Sequence, residues 1–551
     1  MIKMKFSGFP NWGVKLRRGL GIGLSITVFI LVLGLSSAYS FNIDTGNSDL
    51  TLRWDNTVKY STAYRVKDQS ASLIANINLD DGDRAFDKGI ISNRFDILSE
   101  FDLVFKRDFG ARVSGAAWYD TVYLDENDND LPYTANAVSV PYNQFTEATK
   151  KLHGKDAEIL DAFIFANTYI GDARVNFRLG QFAMQWGETF FFGSNGIAGG
   201  MAPVDIVKLV GVPSTQFKEV LRPVNQAFGQ VEFASGLTIG AYYQFEWEKS
   251  RLPATDSYWG NTDNLDVGGE RLFTGPMSAF LRGADQSAKD SGQGGIQVRF
   301  PLGRYDMGLY AIRYNDKTPQ LYIHPFEGVY QAVYPEGIQA YGASATTTFG
   351  ITNYAVEVSY RRNTPLTSGG AVILPSFIPP FMPQGDNDDY PYYAVGQTLH
   401  ANASAFMSIG PTFISNEATF IGEVAWNRRL KVTSDIGHVL NPNATRDGLG
   451  FRCIYEPAYR QVLPGMDVIV NLGLSYFPKA QSASYYPFGQ DNGGDFSIGF
   501  TTTYLDVWRC KLSYTDYYGK ATPALDANNN FTMGQSYADR DFISFSIYRT
   551  F

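Results

Sequence analysis

His400, Asn402 and Ser404 stand at period two along one short stretch. An imidazole base, an orienting amide and a hydroxyl are the parts of a nucleophilic hydrolase, and outer-membrane phospholipases use such a set. The opposite face of that stretch is Leu399, Ala401, Ala403, Ala405 and Met407. If it crosses a membrane as a strand, lipid takes the apolar face, and the polar trio points into a lumen, away from any acyl chain. No catalytic residue and no enzyme are therefore expected. The other histidines, His153, His324 and His438, fall in loop-like stretches without metal-ligand spacing, and no cofactor or metal is expected.

Two acidic stretches, 78–83 (Asn-Leu-Asp-Asp-Gly-Asp) and 125–130 (Asp-Glu-Asn-Asp-Asn-Asp), offer the hard oxygen ligands that Ca²⁺ takes. Neither has the full calcium-loop pattern, so both read as solvated loop acids. Charges also alternate along strand-like stretches: Gln244, Glu246 and Glu248; Glu357 and Arg361; Arg452, Glu456 and Arg460. Inward charges of both signs either line a solute pathway or brace a wall as salt bridges, and bracing is expected for most. Residues 371–383 are instead almost wholly apolar, with Ile373, Leu374, Phe377, Ile378 and Phe381, and 320–326 is similar. A loop facing only water has no need of such surface. These segments are expected to bury themselves as a hatch or lid, or to meet a greasy ligand, lipopolysaccharide or a partner.

Strands must hold these residues. Over 50–66, Leu50, Leu52, Trp54, Val58, Tyr60, Tyr64 and Val66 share one face, and Arg53, Asp55, Lys59 and Arg65 the other. Next, Phe95, Ile97, Phe101, Leu103 and Phe105 oppose Arg94, Asp96, Glu100, Asp102 and Lys106. At the chain end, Ile543, Phe545, Ile547 and Phe551 oppose Ser544, Ser546, Tyr548 and Thr550. Period two alone does not separate a soluble sandwich from a barrel in lipid. The ends of the chain do. Residues 1–18 carry Lys3, Lys5, Lys15, Arg17 and Arg18 and no acid; an apolar run over 19–35 follows, then small residues before Phe41. That order is a secretory signal peptide cut after Ser40. The terminal Phe551 on an alternating strand resembles the signal read by the barrel-assembly machinery. No other stretch is long and apolar enough for a transmembrane helix.

The expected fold is all-β: a transmembrane antiparallel β-barrel of 16–18 strands, best read as 18, in the outer membrane of a Gram-negative bacterium. Short periplasmic turns near 107–110, 235–236, 302–303 and 350 alternate with long outer loops near 67–91, 125–157, 188–225, 250–290, 315–337, 363–396, 477–494 and 520–537. Residues 1–40 form the signal peptide and 41–551 one barrel domain. The 34 Tyr and 40 Phe among 551 residues suit the aromatic girdles of such barrels. Loss of the leader removes five positive charges, taking the formal charge from −9 to −14, which argues against nucleic-acid partners. Cys453 falls inside a strand and Cys510 at a turn two hairpins later, so no disulfide is expected.

Residues 179–188 (Leu-Gly-Gln-Phe-Ala-Met-Gln-Trp-Gly-Glu), Asn195-Gly-Ile, 203–209 (Pro-Val-Asp-Ile-Val-Lys-Leu), Lys218-Glu219 and 243–249 (Tyr-Gln-Phe-Glu-Trp-Glu-Lys) resemble a large proteobacterial family catalogued only as a domain of unknown function. The stretches 78–84, 334–339 and 357–361 carry the same resemblance, which covers essentially all of 41–551. Gln181 stands where the family tends to a basic residue, and Thr189 where it tends to Ser. Such proteins look like outer-membrane barrels, often encoded beside a lipoprotein-carrier-like periplasmic protein and an RND-type exporter. The resemblance implies transport of a hydrophobic or lipid-like compound across the envelope with those partners. A passive porin for small polar or aromatic solutes and a structural or adhesive surface barrel are the alternatives. Residues 193–223 read as a short amphipathic helix or a constriction folded into the lumen, shaped by Trp186, Glu188, Asp205, Lys218 and Glu219, with Glu246, Glu357 and Arg361 on the wall.

Overall fold

A computed structural model describes residues 41–551 apart from 276–277, 375–384 and 486. The proposed signal peptide, residues 1–40, lies outside the described residues, as do Phe377, Ile378 and Phe381 of the apolar loop. Eighteen strands form a closed antiparallel barrel. They are β1 Leu50–Arg65, β2 Gly89–Phe105, β3 Phe109–Asp120, β4 Lys155–Ile170, β5 Ala173–Phe182 and β6 Val224–Glu232. Then come β7 Thr238–Gln244, β8 Gln293–Leu302, β9 Tyr305–Tyr314, β10 Ile338–Phe349, β11 Thr352–Pro365 and β12 Val395–Ile409. The last six are β13 Glu417–Ser434, β14 Asp447–Leu463, β15 Met466–Lys479, β16 Gly494–Tyr504, β17 Trp508–Tyr518 and β18 Phe542–Thr550. Each pairs with its sequence neighbours, and β18 closes on β1 from Thr57↔Thr550 to Arg65↔Phe542. Below that seam, Phe41–Ile43 pairs with β1, with Ile43 opposite Leu52.

The alternation decides which face meets which solvent. On β1, Asp55, Lys59, Ser61 and Arg65 are buried inside, whereas Trp54 and Tyr64 are about half exposed outside. Val113, Ile164, Leu309, Val356 and Leu512 repeat the outward apolar pattern around the wall. Only lipid welcomes such a belt, and closure leaves no strand edge unpaired in it. Inside, charges pair: Lys59 and Arg94 with Asp96 at 3.7 and 2.8 Å, and Arg112 with Glu100 at 2.7 Å. Among the described residues, no helix is long and apolar enough to cross a membrane.

At one end the connections are short. Gly171, Gly303, Gly350 and Gly465 sit in two-residue turns at φ of 60, 62, 59 and 74°, a conformation that costs a side chain but not glycine. At the other end the connections are long and structured. Arg271–Gly275, Ser278–Arg282, Gln320–His324, Val329–Val333 and Ala371–Val372 make a separate five-stranded sheet. The stretches 250–290 and 315–337, expected to be loops, thus hold strands. Tyr322, Val333, Ala371, Ile373, Tyr393 and Val395 pack as its apolar core.

Two local expectations need correction. Cys510 lies within β17, not at a turn, because the chain reverses earlier, at Leu505 and Asp506, both at positive φ. Leu505 is not a turn residue, and Asp506 alone, without Gly or Pro beside it, marks the turn weakly. The cysteines are unpaired. The wall, expected to run on to the loop beginning near 188, stops at Phe182, where the chain leaves it and enters the lumen.

Candidate functional site: a segment across the lumen

Residues 183–223 leave β5, cross the barrel interior and return to β6. Two short 3₁₀ turns, Gly193–Asn195 and Ile197–Gly200, and two short helices, Ile206–Gly211 and Phe217–Val220, are its only regular pieces. A segment this irregular cannot satisfy its own backbone, so the wall does it. Glu357 on β11 accepts the N–H of Glu188 at 2.7 Å and of Ile197 at 2.6 Å. Gly187, at φ 101°, and Gly196 let the backbone approach that carboxylate; a Cβ on Gly196 would lie 2.7 Å from Glu357 Oε1. Glu423 on β13 accepts three successive N–H groups, from Phe190, Phe191 and Phe192, at 3.0, 2.5 and 3.2 Å. Arg361 donates to the carbonyls of Ser194 and Gly196, both at 2.8 Å.

Asn195 is the hub of this half. Its Nδ2 donates to Asn402 Oδ1 at 2.9 Å, and its Oδ1 meets His400 Nδ1 at 2.9 Å and Asn427 Nδ2 at 3.1 Å. The trio of His400, Asn402 and Ser404 therefore faces inward, and its groups are engaged separately. His400 Nε2 meets Thr398 Oγ1, Asn402 donates to Glu423, and Ser404 donates to the carbonyl of Glu188. Further on, Trp186, Ile197 and Met201 pack against Tyr242, Tyr310, Ile312 and Tyr314, inward-facing residues of β7 and β9. Trp186 meets Tyr242 edge to face at 5.0 Å between centroids.

The other half is fixed by charge. Asp205 caps Ile206–Gly211 by accepting from Lys208 N at 2.9 Å, and pairs with Arg251 at 2.7 Å. Glu158 on β4 takes both Arg251 and Lys208, at 2.7 and 2.8 Å. Lys218 pairs with Glu100 on β2, Glu219 closes a capping box with Gln216, and Ser214 bonds Ser546 on β18 at 2.7 Å. β2 and β11 are second and eleventh of the eighteen strands, half a circumference apart. The segment thus ties opposite walls together. Trp186, Glu188, Asp205, Lys218, Glu219, Glu357 and Arg361 all belong to it or contact it. Glu246 does not: it lies beyond the end of β7 and accepts from Asn225 N at 3.0 Å. Nothing in the sequence marks Asn195, Glu423 and His400 as anchors, because a single polar residue on the segment or on the lumen wall carries no local pattern.

The loop acids at 78–83 are not solvated. Asp80, Asp81 and Asp83 are buried, because the 255–260 and 263 stretch folds over them. Asp83 pairs with the fully buried Arg65 at 2.7 Å. Nearby His153, also buried, accepts from Ala254 N at 3.1 Å; burial, then the Arg94 and Arg251 charges, push its pKa down to about 3, so it stays neutral. Of the apolar loop, Ile373 is buried in the cap sheet core and Leu374 is exposed.

At the β1–β18 seam, the outer wall carries an apolar groove of about 360 Å³, lined by Tyr60, Thr62, Tyr64, Ile90, Ile543 and Phe545. Register slips there between Ala63 and Tyr64, and Ile91 is the residue left over on β2. Ala63 borders this groove and also a small inner pocket shared with Ile91, His153, Val207 and Trp259.

A closed barrel with an apolar outer belt, a polar interior and a folded inner segment is a transmembrane barrel of the outer-membrane class. The chain belongs to the family described as "Protein of unknown function (DUF1302)", whose model matches residues 21–551. No curated protein matches the sequence. Among solved structures, OccAB1 of Acinetobacter baumannii is 11% identical, with 94% of this chain and 98% of that chain covered at a TM-score of 0.41. OccD3 (OpdP) of Pseudomonas aeruginosa is 9% identical, with 93% of each chain covered at 0.39. OmpT of Vibrio cholerae, described as an outer membrane protein, is 9% identical, with 92% and 100% covered at 0.36.

Proposed function

We propose that this barrel is a gated transporter for a hydrophobic or lipid-like compound, closed in the resting state by residues 183–223. The observation that carries the reading is the tie between opposite walls: Glu357 and Glu423 hold one end, and Lys218 with Glu100 and Ser214 with Ser546 the other. A segment anchored on both sides of the lumen narrows the path through it. The apolar contents favour an apolar cargo. Trp186, Met201, Tyr242, Tyr310 and Ile312 form a buried apolar cluster between segment and wall that opening would expose, and the seam groove at Tyr64 and Ile543 offers a lateral approach from lipid. The proposed partners are a periplasmic carrier for lipid-like molecules and an RND-type exporter, which would supply the energy that the barrel lacks.

A passive porin for small polar or aromatic solutes is the second reading, favoured by inward charges such as Arg299, Glu188 and Asp306. Those charges pair with one another, which favours bracing over ion selection. Proteoliposomes separate the two readings. The refolded chain 41–551 is expected to speed transfer of a fluorescent acyl probe and to leave arabinose-driven swelling at the protein-free rate. Rapid swelling without acyl transfer contradicts the proposal.

A further inference from the structure

We infer that Asp80, Asp81 and Asp263 form a site for a divalent hard cation of the calcium type, which fastens three loops at the long-loop end of the barrel. One carboxylate oxygen of each residue lies within 4.8 Å of those of the other two. Asp80 and Asp263 are wholly buried and Asp81 is 5% exposed. Asp80 and Asp81 come from the β1–β2 connection and Asp263 from the β7–β8 connection, so folding, not sequence proximity, assembles the set.

Half of the oxygens are already engaged. Asp80 Oδ2 takes Arg84; Asp81 Oδ2 accepts the N–H of Asn136 at 2.7 Å; Asp263 Oδ2 accepts from Asp80 N at 2.7 Å and Asp81 N at 3.2 Å. The other half is not. Oδ1 of Asp80, of Asp81 and of Asp263 is buried with no hydrogen-bond partner among the described residues. So is Oδ1 of Asn136, a fully buried side chain from the β3–β4 connection that sits against Asp81 through its own N–H. A buried oxygen left without a donor is costly, and three in one carboxylate cluster, with a fourth on the adjoining Asn136, call for a cation. Protein N–H groups have not filled the place, and Ca²⁺ takes roughly six to eight oxygens with tolerant geometry.

Charge points the same way. Three carboxylates share a dry pocket in which Arg84 pairs with one, and Arg271 offsets Asp81 from a greater distance. Gly82 explains how the loop reaches this position: a Cβ there would lie 2.5 Å from the carbonyl oxygen of Gly260 and 2.6 Å from that of Ser257. The glycine within the acidic run is therefore required for closure over the 255–263 stretch.

Terbium(III) tests the site, because Trp259 lies in the same stretch and can sensitise its emission. The refolded chain 41–551 is expected to give saturable terbium emission that Ca²⁺ displaces at ~10⁻⁴–10⁻³ M. Asp263→Asn, with heat-modifiable gel mobility confirming a folded barrel, is expected to bind at least about tenfold more weakly. If that variant does not fold, the unmodified chain decides: Ca²⁺ is expected to raise its Tm above the value in EDTA. Equal Tm in Ca²⁺ and EDTA, or terbium binding that Asp263→Asn leaves unchanged, overturns the inference and leaves a proton-sharing carboxyl cluster.

Discussion

Glu357 of β11 accepts the backbone N–H of Ile197 at 2.6 Å, and through that bond the barrel wall holds the turn that carries the inner segment across the lumen. The same carboxylate takes Glu188 N, so one side chain serves two backbone donors that have no helix or sheet to satisfy them. Glu357→Ala leaves both donors buried and unpaired, and is expected to cost about 2–4 kcal/mol of barrel stability in a refolding titration. Glu357→Gln keeps an acceptor and should cost less than half of that.

Arg65 is fully buried between Asp83 at 2.7 Å and Asp539 at 3.6 Å. Removing one acid from a buried set strands the cation, so Asp83→Ala should destabilise the barrel by about 3–5 kcal/mol. Arg53 pairs with Asp55 at 2.5 Å, but its side chain is 55% exposed, and Arg53→Ala should change stability by less than about 1 kcal/mol. Equal losses for the two variants in denaturant midpoints would contradict the burial argument.

The outward belt makes a separate prediction. Leu512, midway along β17, is about half exposed on the face assigned to lipid. Leu512→Arg should weaken folding into bilayers by about 2–4 kcal/mol, and by much less in a soluble detergent that tolerates the charge. An arginine accepted at no cost in bilayers would mean that this face does not meet lipid.

Asp256, in the β7–β8 connection, accepts Thr149 Oγ1 at 2.7 Å and is buried; burial pushes its pKa up from 3.8 to about 6. Its stabilisation is fully present below about pH 4, where folded and unfolded chains both hold the proton. As pH rises from about 4 to about 6 the unfolded chain releases the proton first, and that stability is lost, on the order of 2–3 kcal/mol. Asp256→Asn cannot ionise and should remove this part of the pH dependence. Stability curves of the two proteins that stay parallel from pH 4 to 7 would contradict the assignment.

The wall was legible in the sequence because lipid on one side and a polar lumen on the other impose period two on every strand. Even weakly alternating residues 338–349 form a strand, since closure demands partners for β9 and β11. What the pattern could not give was contact between distant loops. Tyr322 and Tyr330 read as loop aromatics, yet both are wholly buried in the cap sheet, Tyr322 packed with Ala371, Ile373 and Tyr393, and Tyr330 beneath Arg282. Asp80 and Asp81 read as solvated because nothing in their neighbourhood of sequence announces that Asp263 folds onto them. The inner segment was visible as a glycine-rich irregularity, but its anchors, Glu423 and Asn195, lie 228 residues apart and share no local signal. Glu246 misled for the opposite reason: it continues the alternation of β7 after the strand has ended.

Planar-bilayer conductance of the refolded chain 41–551, beside Glu357→Ala/Glu423→Ala, shows whether residues 183–223 close the lumen. With both carboxylates removed, the inner segment loses the backbone hydrogen bonds that Glu357 and Glu423 accept and keeps Arg361 on β11 and Asn427 on β13. A nearly silent barrel is expected for the unmodified chain, and steady, ion-conducting openings for the variant. Large steady conductance in the unmodified protein, unchanged by the double substitution, would contradict it and make the chain an open porin.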